Sequence, residues 1–234
     1  MTPHRGGVEA MIQRQIHNWG RYQELLRAAA AEEKVARRPI ITISRELGSG
    51  GRLLAEALAS RLGLQVHGLS LIDYIARHKH VEREVIDQLD ENLRSEIDLW
   101  VEGMLSGRLF MRDEYHVSLV RAIRTLAARG GVVFIGRAAN MVLADKASLR
   151  IRVVASMETR IRNVMEYEHL DEAAAKKKIA DSDEAREKFT QKLFKVSSRD
   201  PHYHDLVINT DRIPVPRMVE IAMAALEARG AYDS

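Results

Sequence analysis

Four small residues, Gly48-Ser49-Gly50-Gly51, separate a β-branched run, Ile40-Ile41-Thr42-Ile43, from a segment with Leu54, Leu58 and Leu62 on one helical face. No other feature narrows the possible folds as much. A short apolar run of this kind reads as a buried parallel strand. Leucines four apart read as a helix that buries one side. Gly63 stops that helix and Leu64-Gln65-Val66-His67 supplies a second strand, so the unit is a βαβ crossover. Glycines in its turn tolerate positive φ and let successive backbone N–H groups face an anion. The helix N-terminus adds partial positive charge. Arg52, in the first helical turn, is expected to reach a β- or γ-phosphate, and Arg45 stands at the other lip.

The anion-binding pattern Gly-x-x-x-x-Gly-Lys-Ser/Thr fits this stretch loosely. With Gly51 as its second glycine, Arg52 takes the lysine position, Leu53 the hydroxyl position and Glu46 the first glycine. A Gly-rich turn flanked by two solvated arginines is the alternative reading.

The alternation continues along the chain. Val132 to Ile135, Leu149 to Val154 and Leu206 to Ile208 are the remaining strands, and strands separated by helices indicate a parallel α/β sheet. Two helical excursions interrupt it. The first, Leu69 to Arg129, has weak points at Gly103 and Gly107 and a helix from Tyr115 to Ala128 ended by Gly130-Gly131. The second is a charged stretch, Glu158 to Lys195. A closing helix runs from about Pro216 to Ala228, with proline in its first turn. Ahead of the first strand, Val8 to Val35 reads as one helix. Its stripe of Ile12, Ile16, Trp19, Tyr22, Leu25, Leu26 and Ala29 must be buried, on the chain's own domain or against a second copy.

Composition removes several classes. The 234 residues are 46% apolar and 29% charged, which suits one sizeable core with inserts. A net charge of +3 and 5% aromatics argue against a nucleic-acid surface. No apolar run has membrane-spanning length, so no membrane partner is expected. Met1 to Trp19 lacks the apolar core of a secretory signal. Absence of cysteine rules out disulfides and thiolate chemistry and fits a cytoplasmic protein.

Thr42-Ile43-Ser44-Arg45-Glu46-Leu47-Gly48-Ser49-Gly50-Gly51-Arg52 resembles the first strand and P-loop of the cytidylate-kinase-like family, relatives of the bacterial cytidylate kinases among nucleoside monophosphate kinases. The family's usual form is Ile-Ser-Arg-Gln/Glu, any residue, Gly-Ser-Gly-Gly-Arg. Val132 to Arg137 resembles its strand ending in Gly-Arg beside the acceptor. Glu158 to Met165 resembles the helix entering the lid, with Asn163 where an arginine is common. Asp183-Glu184-Ala185-Arg186 looks like the lid's Asp-x-x-Arg, and Asp205 to Thr210 like the last strand, near the donor base. The resemblance covers about Pro39 to Arg229. It implies a P-loop NTPase-type parallel sheet flanked by helices over residues 39–234, with a helical acceptor arm at 69–129 and a lid region at 158–199. Residues 1–38 form an extra N-terminal helical extension.

The resemblance also implies roles. Arg45, Gly48, Ser49, Gly50, Gly51 and Arg52 would hold the phosphates of ATP, with Thr210 near its base. Arg52, Arg160, Arg186 and Arg199 would stabilise the transferring group. Gly136 and Arg137, with Arg112 and Arg121 in the arm, would bind the acceptor. Phosphoryl transfer requires such charge neutralisation and exclusion of water, with Mg²⁺ on the phosphates. Three departures bear on this. Leu53 cannot hold Mg²⁺ as a Ser or Thr does, which leaves the metal to phosphates, water and an oxygen such as that of Ser49. His67-Gly68-Leu69-Ser70 stands where the family often has an Asp followed by a basic residue. Ala138-Ala139 follows Gly136-Arg137 where cytidylate kinases usually place an Asp.

The expected activity is therefore transfer of the γ-phosphate of ATP to a small, nucleotide-like acceptor. The rival from another class is a nucleotide sensor or structural relative with little catalysis, dimerised by its N-terminal helix. A helical adaptor is a third reading. His78-x-His80 and His202-x-His204 read as surface histidines, and no metal site is expected in the protein itself. Glu46 reads equally as a base or a capping carboxylate. Ser49 lacks the spacing of a nucleophile elbow.

Overall fold

The computed structural model describes residues 10, 12–21, 38–87, 89, 91–106, 113–128 and 130–231. The chain divides into two compact units, residues 39–66 with 132–234 and residues 1–38 with 67–131. The first holds the sheet: β1 (Ile40–Arg45), β2 (Gln65–His67), β3 (Val132–Ile135), β4 (Leu149–Val154) and β5 (Leu206–Asn209), in the order β2-β3-β1-β4-β5. β1 runs parallel to both β3 and β4, and β4 parallel to β5. The chain leaves β1 toward the β2 edge and leaves β3 toward the β4 edge. The carboxyl ends of β1 and β3 therefore diverge into the crevice where open α/β sheets bind ligands.

The β-branched runs are strands because both of their faces are buried; Ile40 to Ile43 and Val132 to Ile135 are buried throughout. Leu54 and Leu58 of α2 (Gly51–Leu62) and Met218, Ala222 and Leu226 of α10 (Val215–Ala228) close over Ile41, Ile43, Val133, Ile151 and Val153. Burial of each large side chain here contributes roughly 1.5–3 kcal/mol. α2 ends at Gly63 in the left-handed region (φ 63°), and the Leu64 amide bonds back to Ala59 O at 2.9 Å. Leu64 thus serves the helix end, and β2 starts one residue later than the alternation predicts.

The charged helical stretch is two helices, α8 (Met157–Glu168) and α9 (Glu172–Phe194). His169 takes a left-handed conformation (φ 56°) and Asp171 caps α9 by accepting from Ala174 N–H at 2.8 Å. The hairpin is closed by Val164, Ala175 and Ile179, with Leu47, Ile161, Met165 and Leu170 against them.

The other unit contains α1 (residues 12–21), α3 (Leu69–Arg77), α4 (Lys79–Asp87), α5 (Glu91–Ser106) and α6 (Glu114–Ala127). Gly103 lies inside α5 and does not end it. Ile12, Ile16 and Trp19 of α1 are buried within the single chain. The remaining stripe, from Tyr22 to Ala29, and Gly107 lie outside the described residues. No described helix is long and apolar enough to cross a membrane.

Candidate functional site

The Gly-rich turn leaves the C-terminal end of β1, as the crossover predicts. Gly48 and Gly50 both have positive φ (82° and 80°). Gly50 is the N-cap of α2, Gly51 its first residue, and the first bond of the helix runs from Leu54 N–H to Gly50 O at 3.1 Å. The amides of Gly51, Arg52 and Leu53 therefore precede the first intrahelical bond. This changes the register of the motif. The glycine that ends the turn is Gly50, so Gly51 takes the place of the lysine, Arg52 that of the hydroxyl residue and Arg45 that of the first glycine.

Three side chains from outside the turn hold its carbonyls. Arg160 Nε donates to Leu47 O at 2.8 Å, Asn163 Nδ2 to Gly48 O at 2.8 Å and Thr210 Oγ1 to Ser49 O at 3.0 Å. In a trans peptide the C=O and the following N–H point in opposite directions. The amides of Gly48 and Gly50 are thus turned away from these braces, while that of Ser49 closes the turn on Glu46 O at 3.3 Å. Arg160 and Asn163 lie on one face of α8, three residues apart, and Thr210 follows β5. Gly48 is needed where α8 crosses the turn: a Cβ there would stand 2.5 Å from Arg160 O.

A cavity of about 680 Å³ opens over the turn and is bordered by Arg45, Gly48, Gly50, Gly51, Arg52 and Arg186, among others. The charges around it form a network. Arg160 meets Asp183 at 2.7 Å and Glu46 at 3.6 Å, Arg152 meets Glu46 at 3.4 Å, and Arg186 meets Asp183 at 3.5 Å. Burial pushes the Arg186 guanidinium below its usual range, with Arg160 and Arg152 adding repulsion that Asp183 and Glu46 oppose. Burial, then the charges of Arg186 and Arg137, push Arg45 down to about 10. Cationic excess around a concave amide turn is the electrostatic form of an anion site.

The other expected residues are distributed as follows. Arg52 Nε pairs with Glu56 at 2.7 Å on the exposed side of α2. Ser49 is fully buried, with its hydroxyl 2.9 Å from Glu46 O and 3.1 Å from Val153 O. That hydroxyl is committed to the scaffold, so the turn offers magnesium no free Ser or Thr oxygen. Gly136, Arg137 and Ala138 after β3 all have positive φ (80°, 52° and 51°), a strained turn that sends Arg137 across the Phe189 ring at 5.0 Å. Arg199 is exposed in the turn after α9; burial lowers the pKa of Arg152, and the charge of Arg199 adds to that lowering. In the helical unit Arg121 pairs with Glu82 and Asp98, and Arg112 lies outside the described residues. Among the described residues no three His, Asp or Glu side chains gather as a metal site.

Sequence reasoning missed Asn163 as a brace, because an amide standing where an arginine is common reads as a loss. It left Glu46 open between base and cap; in the structure Glu46 faces two arginines and accepts from Ala155 N–H at 3.3 Å.

Comparisons with known proteins agree with this geometry. A family model for the cytidylate kinase-like family matches residues 40–212. A cytidylate kinase of Methanopyrus kandleri is 26% identical over 198 residues, covering 80% of this chain and 93% of that protein. A cytidylate kinase of Methanothrix thermoacetophila is 28% identical over 192 residues, 81% of this chain and 98% of its own. Among solved structures, an uncharacterized protein from Eubacterium ventriosum shares the fold with a TM-score of 0.65 at 22% identity, covering 82% of this chain and 99% of its own.

Proposed function

The chain belongs to the cytidylate kinase-like family, and from that premise we propose that it moves the γ-phosphate of ATP to a small, nucleotide-like acceptor, with a nucleoside monophosphate as the first candidate. The observation that carries this reading is the convergence of the Arg45, Arg137 and Arg186 charges beside a glycine turn whose carbonyls are braced outward.

In this reading the amides of Gly48, Gly50, Gly51 and Arg52 hold the donor phosphates. An acceptor oxygen forms a bond to the γ-phosphorus as the bond to the β–γ bridging oxygen breaks, and ADP leaves with that electron pair. Charge on the transferring group is taken up by Arg186 and Arg199, each a planar fork donor, while Arg160, expected to join them, stays with Leu47 O, Asp183 and Glu46 as a brace. Gly136-Arg137 serves the acceptor, and Thr210 lies on the donor side. A bound magnesium ion would supply neutralisation of the phosphate charge. With Ser49 committed to carbonyls, phosphates and water would carry that ion.

The committed Ser49 hydroxyl, together with Ala138-Ala139 where a carboxylate is usual, also supports a second reading: a nucleotide sensor with little turnover. ADP release measured with ATP, Mg²⁺ and a panel of nucleoside monophosphates separates the two. Turnover with one acceptor is the expected result. An ATP-dependent rise in melting temperature with no turnover on any acceptor sinks the kinase reading and favours the sensor.

A further inference from the structure

Two glycines of this site lie against Arg45. Gly51 has no positive φ to demand glycine, and a glycine inside a helix costs roughly 0.5–1 kcal/mol relative to alanine. A Cβ at Gly51 would stand 2.6 Å from Arg45 Cβ and 3.1 Å from Arg45 Cγ. A Cβ at Gly136 would stand 2.3 Å from Arg45 Nη1. Gly51 thus clears the stem of Arg45 and Gly136 clears its head. The arrangement follows from strand register: Ile43 is level with Ile135 in the parallel pair, which brings Arg45 to the turn after β3.

The surroundings of Arg45 differ from those of Arg52. Among the described residues no carboxylate pairs with the Arg45 guanidinium, and the charges recorded near it, Arg186 and Arg137, are both repulsive. Arg52 borders the same cavity, but its side chain is 67% exposed. Its guanidinium is held by Glu56, one helical turn away from the amide end of α2. An unpaired, desolvated cation beside free amides requires an anion; an exposed, paired cation does not.

We infer that Arg45, reaching from the end of β1 across Gly51 and Gly136, supplies the phosphate-loop cation in place of a helix-borne lysine, and that Arg52 does not. The assignment rests on the nucleotide reading above and specifies it: the cation comes from the strand, and the helix gives up its side chain to let it through. A lysine at position 51 and an arginine at position 45 exclude each other by that Cβ contact.

Binding of inorganic triphosphate and of ATP to the full chain, followed by calorimetry without any acceptor, tests this. Arg45→Met is expected to weaken triphosphate binding by about 30-fold, since hydrogen bonds to charged groups contribute roughly 1.5–3 kcal/mol. Arg52→Met is expected to change it by less than about threefold, as for an exposed ion pair. Gly51→Lys alone is expected to lower the melting temperature. Combined with Arg45→Gly it should bind triphosphate at least about tenfold more tightly than Arg45→Gly alone, because the stem contact is gone and a charge is restored. This exchange decides the matter even if Arg45→Met does not fold. If Arg52→Met loses binding while Arg45→Met keeps it, or the exchange recovers nothing, the assignment is overturned and the nucleotide reading stands. If the unaltered chain binds neither ligand, both fall.

Discussion

Gly48 and Gly63 share a left-handed backbone but differ in what surrounds them. A side chain at Gly63 meets nothing within 4 Å, whereas at Gly48 it meets the Arg160 carbonyl at 2.5 Å. Gly63→Ala is therefore expected to cost only the conformational penalty of about 1–2 kcal/mol. Gly48→Ala adds a backbone clash that no rotamer relieves, for a total of about 3 kcal/mol or more, and deforms the turn. Urea unfolding of both variants measures the difference, and equal losses would mean that α8 does not press on the turn. The same scale explains what could and could not be read from the sequence. The glycines announce a phosphate turn, but Gly50-Gly51-Arg52 admits two registers of one motif. Only the start of α2, at Gly51 with Gly50 as its N-cap, separates them.

At the scale of elements, α8 works as a brace. It is capped by Ser156, which accepts from Thr159 N–H and is itself held by Asp211 at 2.9 Å, and it delivers Arg160 and Asn163 to consecutive carbonyls of the turn. Asn163→Leu keeps the helix and removes one brace. It is expected to raise the dissociation constant for ATP about tenfold, the loss of one modest hydrogen bond, with helicity by circular dichroism unchanged. Unchanged affinity would show that the peptide plane needs no such support. The strands β3 and β4 were legible to the residue, and β1 at its start, because short apolar runs rich in β-branched residues have one structural meaning in this context; β1 continues two residues past the apolar run, to Arg45. The break between α8 and α9 was not legible. It contains neither Gly nor Pro, and a left-handed histidine leaves no mark in composition; only Asp171 followed by Glu172 signals a new helix start.

For the whole molecule, acid is expected to be destabilising well above the carboxylate range. Burial holds His67 at about 4, and burial with the nearby charge of Arg152 holds His204 at about 4. In the unfolded chain a histidine titrates near ~6.5. Between those values the unfolded state takes up protons that the native state refuses, so stability falls as pH falls, by up to about 1.4 kcal/mol per pH unit for each group. Melting temperature recorded from neutral pH to about pH 4 reads this slope. His67→Phe is expected to make it shallower, and an unchanged slope in that variant would remove His67 as a cause. Two further expectations concern residues 22–37 and Arg112, which lie outside the described part of the chain.

The braces of the glycine turn span 113, 115 and 161 residues of sequence. Contacts of such separation form late, since each must first close a long loop. During synthesis the segment that carries the nucleotide signature emerges early, yet a nascent chain has no means of fixing its three carbonyls until Thr210 has left the ribosome. A chain cut just before Thr210 is therefore expected to grip phosphate less firmly, with one of the three carbonyls left unbraced.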